Sequence, residues 1–142
     1  MQLGKNCKII KIRVADAAGT GDTLTSDTVD MQGFDGALFL WGTEAHTATA
    51  VSVVTVNGSD DDSAYAALTG ATKTTAAATD TLKTVAIDVY RPLNRYLQIE
   101  MARSVANIVS NGCTVILYHS MGGPVTQGST IAGAAVVAVA GV

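Results

Sequence analysis

At 142 residues, 48% hydrophobic and 15% charged, the chain is sized for one ordered domain with a continuous core. Its net charge of −3 and low aromatic content of 5% exclude a nucleic-acid module, which needs net basic character with interleaved aromatic residues. Cys7 and Cys113 have no metal-site spacing, so two buried free thiols are expected, with no cofactor and no small-molecule substrate.

The opening Met1-Gln2-Leu3-Gly4-Lys5-Asn6 has no apolar stretch of signal-peptide length, and export is not expected. In the segment from Lys8 to Val14, Ile10, Ile12 and Val14 alternate with Lys11 and Arg13, the pattern of a half-buried strand with a basic outer face. Lys5, Lys8, Lys11 and Arg13 stand in the first 15 residues without an acid, whereas residues 16–62 hold nine acids and no lysine or arginine. Ala18-Gly19-Thr20-Gly21-Asp22 reads as a turn, since neither Gly-Lys-Ser/Thr nor a helix follows to make a phosphate loop. Ala37 to Trp41 is apolar on both faces, predicting a central strand covered on both sides with Trp41 in the core. A strand over Val51–Val56 should end in a turn at Asn57-Gly58, and the consecutive Asp60-Asp61-Asp62 lacks the alternation of a calcium loop.

Residues 69–81 fit either a loop or a short helix. Lys83–Tyr90 and Arg95–Arg103 both alternate as strands, and Arg91-Pro92-Leu93-Asn94 between them suggests a hairpin-like pair. Asp88 and Arg91 are expected to stabilise the turn around Pro92, with Arg91 or Arg95 contacting an acid nearby. Asn111-Gly112 should turn into a last strand from Cys113 to Tyr118. The fold class is therefore all-β: an antiparallel β-sandwich, jelly-roll-like, with about seven or eight strands over residues 1–120. Residues 121–142 are expected to form an extended apolar C-terminal arm. Its longest apolar run, Ile131–Val142, is interrupted by Gly133 and Gly141 and falls short of the ~20 residues that span a bilayer, so no membrane partner is expected.

Tyr118-His119-Ser120-Met121-Gly122-Gly123 looks like half a nucleophile elbow, with Gly122 in place but Tyr118 where a small residue belongs. No acid or histidine follows Ser120, and Gly122-Gly123-Pro124 opposes the helix an elbow requires. An enzyme is not expected.

The segments MQLGKN, VDMQGFDGALFL, DVYRPLNRYLQIEMARSVAN and CTVILYH together resemble the head decoration, or cement, proteins of tailed bacteriophages, over most of residues 1–120. The resemblance implies a sandwich or jelly-roll module, often a homo-trimer. It implies binding to the major capsid protein on the outside of the shell, and a virion protein made in the host cytoplasm. Lys5, Lys8, Lys11 and Arg13 are then candidate contacts to an acidic shell surface, and Val125, Ile131, Val136, Val137 and Val139 are candidate capsid or subunit contacts in the arm. The arm is uncharged and its Thr126-Gln127-Gly128-Ser129-Thr130 stretch reads as a linker, which favours a crossing to a neighbouring subunit. The alternative function is a virion-surface or tail sandwich that binds carbohydrate or a host receptor.

Overall fold

The computed structural model describes residues 6–120, 125–127 and 129–132, without the side chains of residues 77 and 78. Among these residues the chain forms two antiparallel sheets packed face to face, the β-sandwich that the alternation predicts. The strands are β1 (Lys8–Arg13), β2 (Asp16–Gly19), β3 (Asp22–Thr25), β4 (Val29–Asp30), β5 (Gly36–His46), β6 (Val51–Ser59) and β7 (Ala66–Ala76). One helical turn, α1 (Ala77–Asp80), precedes β8 (Thr84–Tyr90), β9 (Tyr96–Ser104) and β10 (Ile108–Tyr118). The first sheet runs β1-β10-β5-β8 with β2 also on β10, and the second runs β3-β9-β6-β7 with β4 also on β9. The count rises from the expected seven or eight to ten because β2, β3 and β4 are two to four residues long, below the length at which alternation is readable.

The inner faces obey period two. Phe39 and Trp41 of β5, Val115 and Leu117 of β10, Val54 and Val56 of β6, and Leu97, Ile99 and Met101 of β9 are almost wholly removed from solvent. Trp41 donates its indole N–H to Ser110 Oγ at 2.8 Å, which satisfies its one polar atom inside the apolar layer. Leu38 and Leu40 lie on the outer face of β5 and are half-buried, so this strand is central but only partly covered outside. Cys7 and Cys113 are free and buried; burial pushes both thiols up, Cys113 to about 12.

Four local expectations change. Asn57-Gly58 lies inside β6, opposite Gln98 and Leu97 of β9, rather than in a turn. Gly58 is needed there for close approach, because a Cβ would stand 2.5 Å from Asn94 Oδ1. Asn111-Gly112 is a bulge within β10, where Gly112 takes φ +85° and a Cβ would meet the Arg13 carbonyl oxygen at 2.3 Å. Residues 69–76 belong to β7, held by the β6 ladder, and only 77–80 turn helical. Lastly, β8 and β9 are not a hairpin: β8 pairs with β5 in the first sheet, β9 with β3, β4 and β6 in the second. The Arg91–Arg95 connection therefore crosses between sheets.

A second crossing occurs at Thr20-Gly21, between β2 on β10 and β3 on β9, and here the charge is buried. Arg103 of β9 is 5% exposed. Its Nε donates to Asp22 Oδ1 at 2.7 Å and its Nη1 to the carbonyls of Ala17 and Ile108, each at 2.8 Å. Its Nη2 completes a bidentate pair with Asp22. One guanidinium thus ties both sheets to the crossing. Removing it by Arg103→Met should strand the buried Ile108 carbonyl, leave the part-buried Ala17 carbonyl without this donor and lower stability by about 2–4 kcal/mol, measured by denaturant unfolding.

The same pair sets a pH dependence. The Arg103 hydrogen bond holds Asp22 below the usual carboxylate range, as Arg13 does for Asp16 and Arg95 for Asp30. A depressed folded-state value means stability is fully present above the ordinary value of 3.8 and is lost as pH falls through the lower folded values. Unfolding midpoints should hold between pH 7 and 5 and drop below about pH 4, and Arg103→Met should flatten that drop.

Candidate assembly surfaces

The two sets of candidate contacts come together at one sheet edge. Residues 125–127 and 129–132 lie beside β1, running parallel to it, and among the described residues they join it through the side chains of Gln127 and Thr130. Gln127 accepts from the Ile9 amide through Oε1 and donates through Nε2 to the Cys7 carbonyl, both at 2.7 Å. A side-chain amide thereby takes the place of a strand's peptide group. Thr130 Oγ1 accepts from the Lys11 amide at 3.2 Å. The stretch expected to be a linker to a neighbour is, over these residues, a cap on the chain's own first strand. Such a cap gives partners to backbone groups that an edge strand otherwise leaves open.

Lys11 is exposed on the outer face of β1 and Lys8 is half-buried near Asp30. Arg13 is committed within the chain: its guanidinium pairs with Asp16 at 2.6 Å and donates to the Thr25 carbonyl at 2.7 Å. Val125 and Ile131 are half-buried in the capping segment. Lys5, Val136, Val137 and Val139 lie outside the described residues. Gln127 and Thr130, which build this edge, had no sequence signal beyond being polar in a small-residue stretch.

A second surface forms at the end of the sandwich where β8 and β10 finish. The Tyr118 ring lies over Gly36, parallel to the Tyr90 ring with centroids 6.5 Å apart, and its hydroxyl donates to Asp88 at 2.6 Å. Burial, then Asp88, pushes the Tyr118 phenol upward. Asp88 is thus engaged by Tyr118 rather than by Arg91, which sits 5.2 Å over the Tyr90 ring. Arg95 does find an acid, pairing with Asp30 at 2.8 Å. His119 packs edgewise on Tyr118, and its Nδ1 stands 3.9 Å from Asp35, beyond hydrogen-bond reach. Beside this cluster an open groove of about 540 Å³ is lined by Met31, Phe34, Arg91, Pro92, Leu93 and Arg95. Leu93 is 100% exposed.

No known protein family matches the chain, and no curated protein matches it in sequence. Among solved structures it is similar to a chain of the T13 particle of infectious bursal disease virus, at 12% identity and a TM-score of 0.53, over 85% of this chain and 33% of that one. A chain of the infectious bursal disease virus Gx strain gives 14% identity and a TM-score of 0.52, over 85% and 35%. A chain of the disulfide-linked pili formed by Bacillus endospore appendages gives 13% identity and a TM-score of 0.46, over 82% and 93%. The chain spans about a third of the length of the viral chains. What it shares with them is a fold.

Gln127→Ala should open the β1 edge locally. The Ile9 amide is expected to exchange with solvent roughly threefold to tenfold faster, with the central β10 amides unchanged, as read by NMR-detected hydrogen exchange. An unchanged Ile9 amide would mean that Gln127 does not hold the edge in solution.

Proposed function

We propose that the chain is a structural virion protein, a homo-trimer without catalytic activity, that binds the outside of a phage capsid shell and stabilises contacts between major capsid protein subunits. The observation that carries this is the C-terminal segment. It is laid on β1 by Gln127 and Thr130 and leads into ten residues of alanine, valine and glycine without a charge. Such a sequence needs covering by protein, since left in water it invites edge-to-edge pairing.

Two further features support the same role. Leu93, wholly exposed beside the groove, has the form of an anchor that a partner surface buries, with Arg91 and Arg95 at its margin. Lys8 and Lys11, next to the capping segment, suit an acidic shell surface and would make binding salt-sensitive. The recurrence of the fold in chains of a virus particle supports a virion setting. The work done is mechanical: each contact is modest, and the repetition of contacts over a shell gives the resistance.

Cosedimentation with heads assembled without this chain tests the proposal. Binding should be saturable and weaken with salt. Leu93→Asp should lower head affinity about tenfold or more while leaving the unfolding midpoint unchanged, because the side chain is wholly exposed in the isolated chain. Absence of binding to heads, with retention on immobilised glycans, would instead support the carbohydrate-binding alternative.

A further inference from the structure

The first sheet has two lateral edges, and the chain treats them differently. At β1 the edge is capped by Gln127 and Thr130. At β8 the backbone is unpaired on its outer side: among the described residues Thr84–Tyr90 pairs only with β5, and Lys73–Thr75 of β7 approach just its Thr84–Ala86 end across a small cleft. The register from Gly36↔Tyr90 to Gly42↔Thr84 is unbroken, so β8 is a regular edge of seven residues with no bulge and no proline. Its inward Val85 and Ile87 belong to the core, whereas Thr84, Ala86, Asp88 and Tyr90 are exposed. An edge of this kind is a template for another strand.

The other edges are poorer templates. On β7, four residues (68–71) stand against the single Val56 of β6, a large bulge that breaks the edge, and Lys73 adds a charge. The β3 and β4 edge is made of pieces of four and two residues.

The same chain carries a segment with the composition of the missing strand. Residues 133–142 are uncharged and rich in valine and alanine, with Val137 and Val139 on one face of an extended chain and Val136, Ala138 and Ala140 on the other. The described residues that precede it stand beside β1, where Thr130 contacts Lys11, on the far side of the sheet from β8. Crossing three strand spacings is about 14 Å, and ten extended residues reach about 33 Å. A segment that crossed its own sheet would keep about 19 Å, or roughly six residues, for pairing, short of the seven residues of β8. A neighbour's β8 placed beside β1 has no such cost.

We propose that residues 133–142 add as a strand to the β8 edge of a second copy of the chain, so that copies join head to tail through their first sheets. The backbone groups of β8 gain partners, and one valine face of the segment extends the apolar layer beside Val85 and Ile87. The interface is heterologous, using different surfaces on the two copies, and closes into a ring when the rotation per step divides a full turn. It does not depend on the virion role, since it concerns only contacts between copies.

Mixed cysteine variants test it in the full chain. Ala138→Cys in one copy is combined with Ala86→Cys or Thr84→Cys in another. Both acceptor sites are exposed and tolerate the change, and the native thiols are buried and free. On mild oxidation a disulfide-linked dimer of unlike copies is expected in at least one combination, and the β8 amides should gain exchange protection as protein concentration rises. Two results would overturn the proposal: no unlike dimer in either combination, or a chain carrying both cysteines that bridges internally and stays at monomer mass on dilution. Failure of head binding alone would leave these outcomes unchanged and would count only against the virion role.

Discussion

Every peptide group in a sheet needs a hydrogen-bond partner, and an open sandwich has more strand edges than its own strands can serve. The shape of this protein follows from how each edge is handled. The edge of β1 is capped by two polar side chains of the C-terminal segment. The β7 edge is broken by a bulge at residues 68–71, and the β3 and β4 edge is divided into short pieces. Only β8 offers a regular unpartnered ladder among the described residues. Three edges are blunted and one is left usable.

The sheets keep their relative position through a polar device inside an apolar layer. Hydrophobic burial drives the two faces together, but it is non-directional and leaves the sheets free to slide. Arg103 supplies direction: it reaches from β9 to the carbonyls of Ala17 and Ile108 and to Asp22 across the crossing between sheets. Trp41 to Ser110 does the same on a smaller scale within the first sheet. A rigid frame of this kind fixes where the β1 and β8 edges stand, which is what contact with other copies requires.

Much of this was legible in the sequence wherever one face is buried and the other wet. Val85-Ile87-Val89 and Leu97-Ile99-Met101 announce their strands by period two, and the apolar run at Ala37–Trp41 announces a central one. Local turn chemistry misled where tertiary contact overrode it. Asn57-Gly58 and Asn111-Gly112 have turn composition, yet they serve close approach to Asn94 and a bulge against Arg13. The partition of β8 and β9 into different sheets was hidden, because a connection of five residues can close a hairpin or cross a sandwich. At the candidate surface the basic strand was visible as Lys8 and Lys11. Its capping partners were not, because one glutamine replacing a peptide group leaves no periodicity to detect.

In the proposed assembly, strand edges carry the contacts between copies. Gln127 and Thr130 cap one edge within their own chain, and the proposal has residues 133–142 close another edge in a neighbour. The most direct measurement is the solution mass, by light scattering, of the full chain beside a chain ending at Ala132, which keeps Gln127 and Thr130 on β1. Assembly through residues 133–142 predicts a full chain at a multiple of the monomer mass and a truncated chain that stays folded as a monomer. An identical assembly state for the two would contradict it.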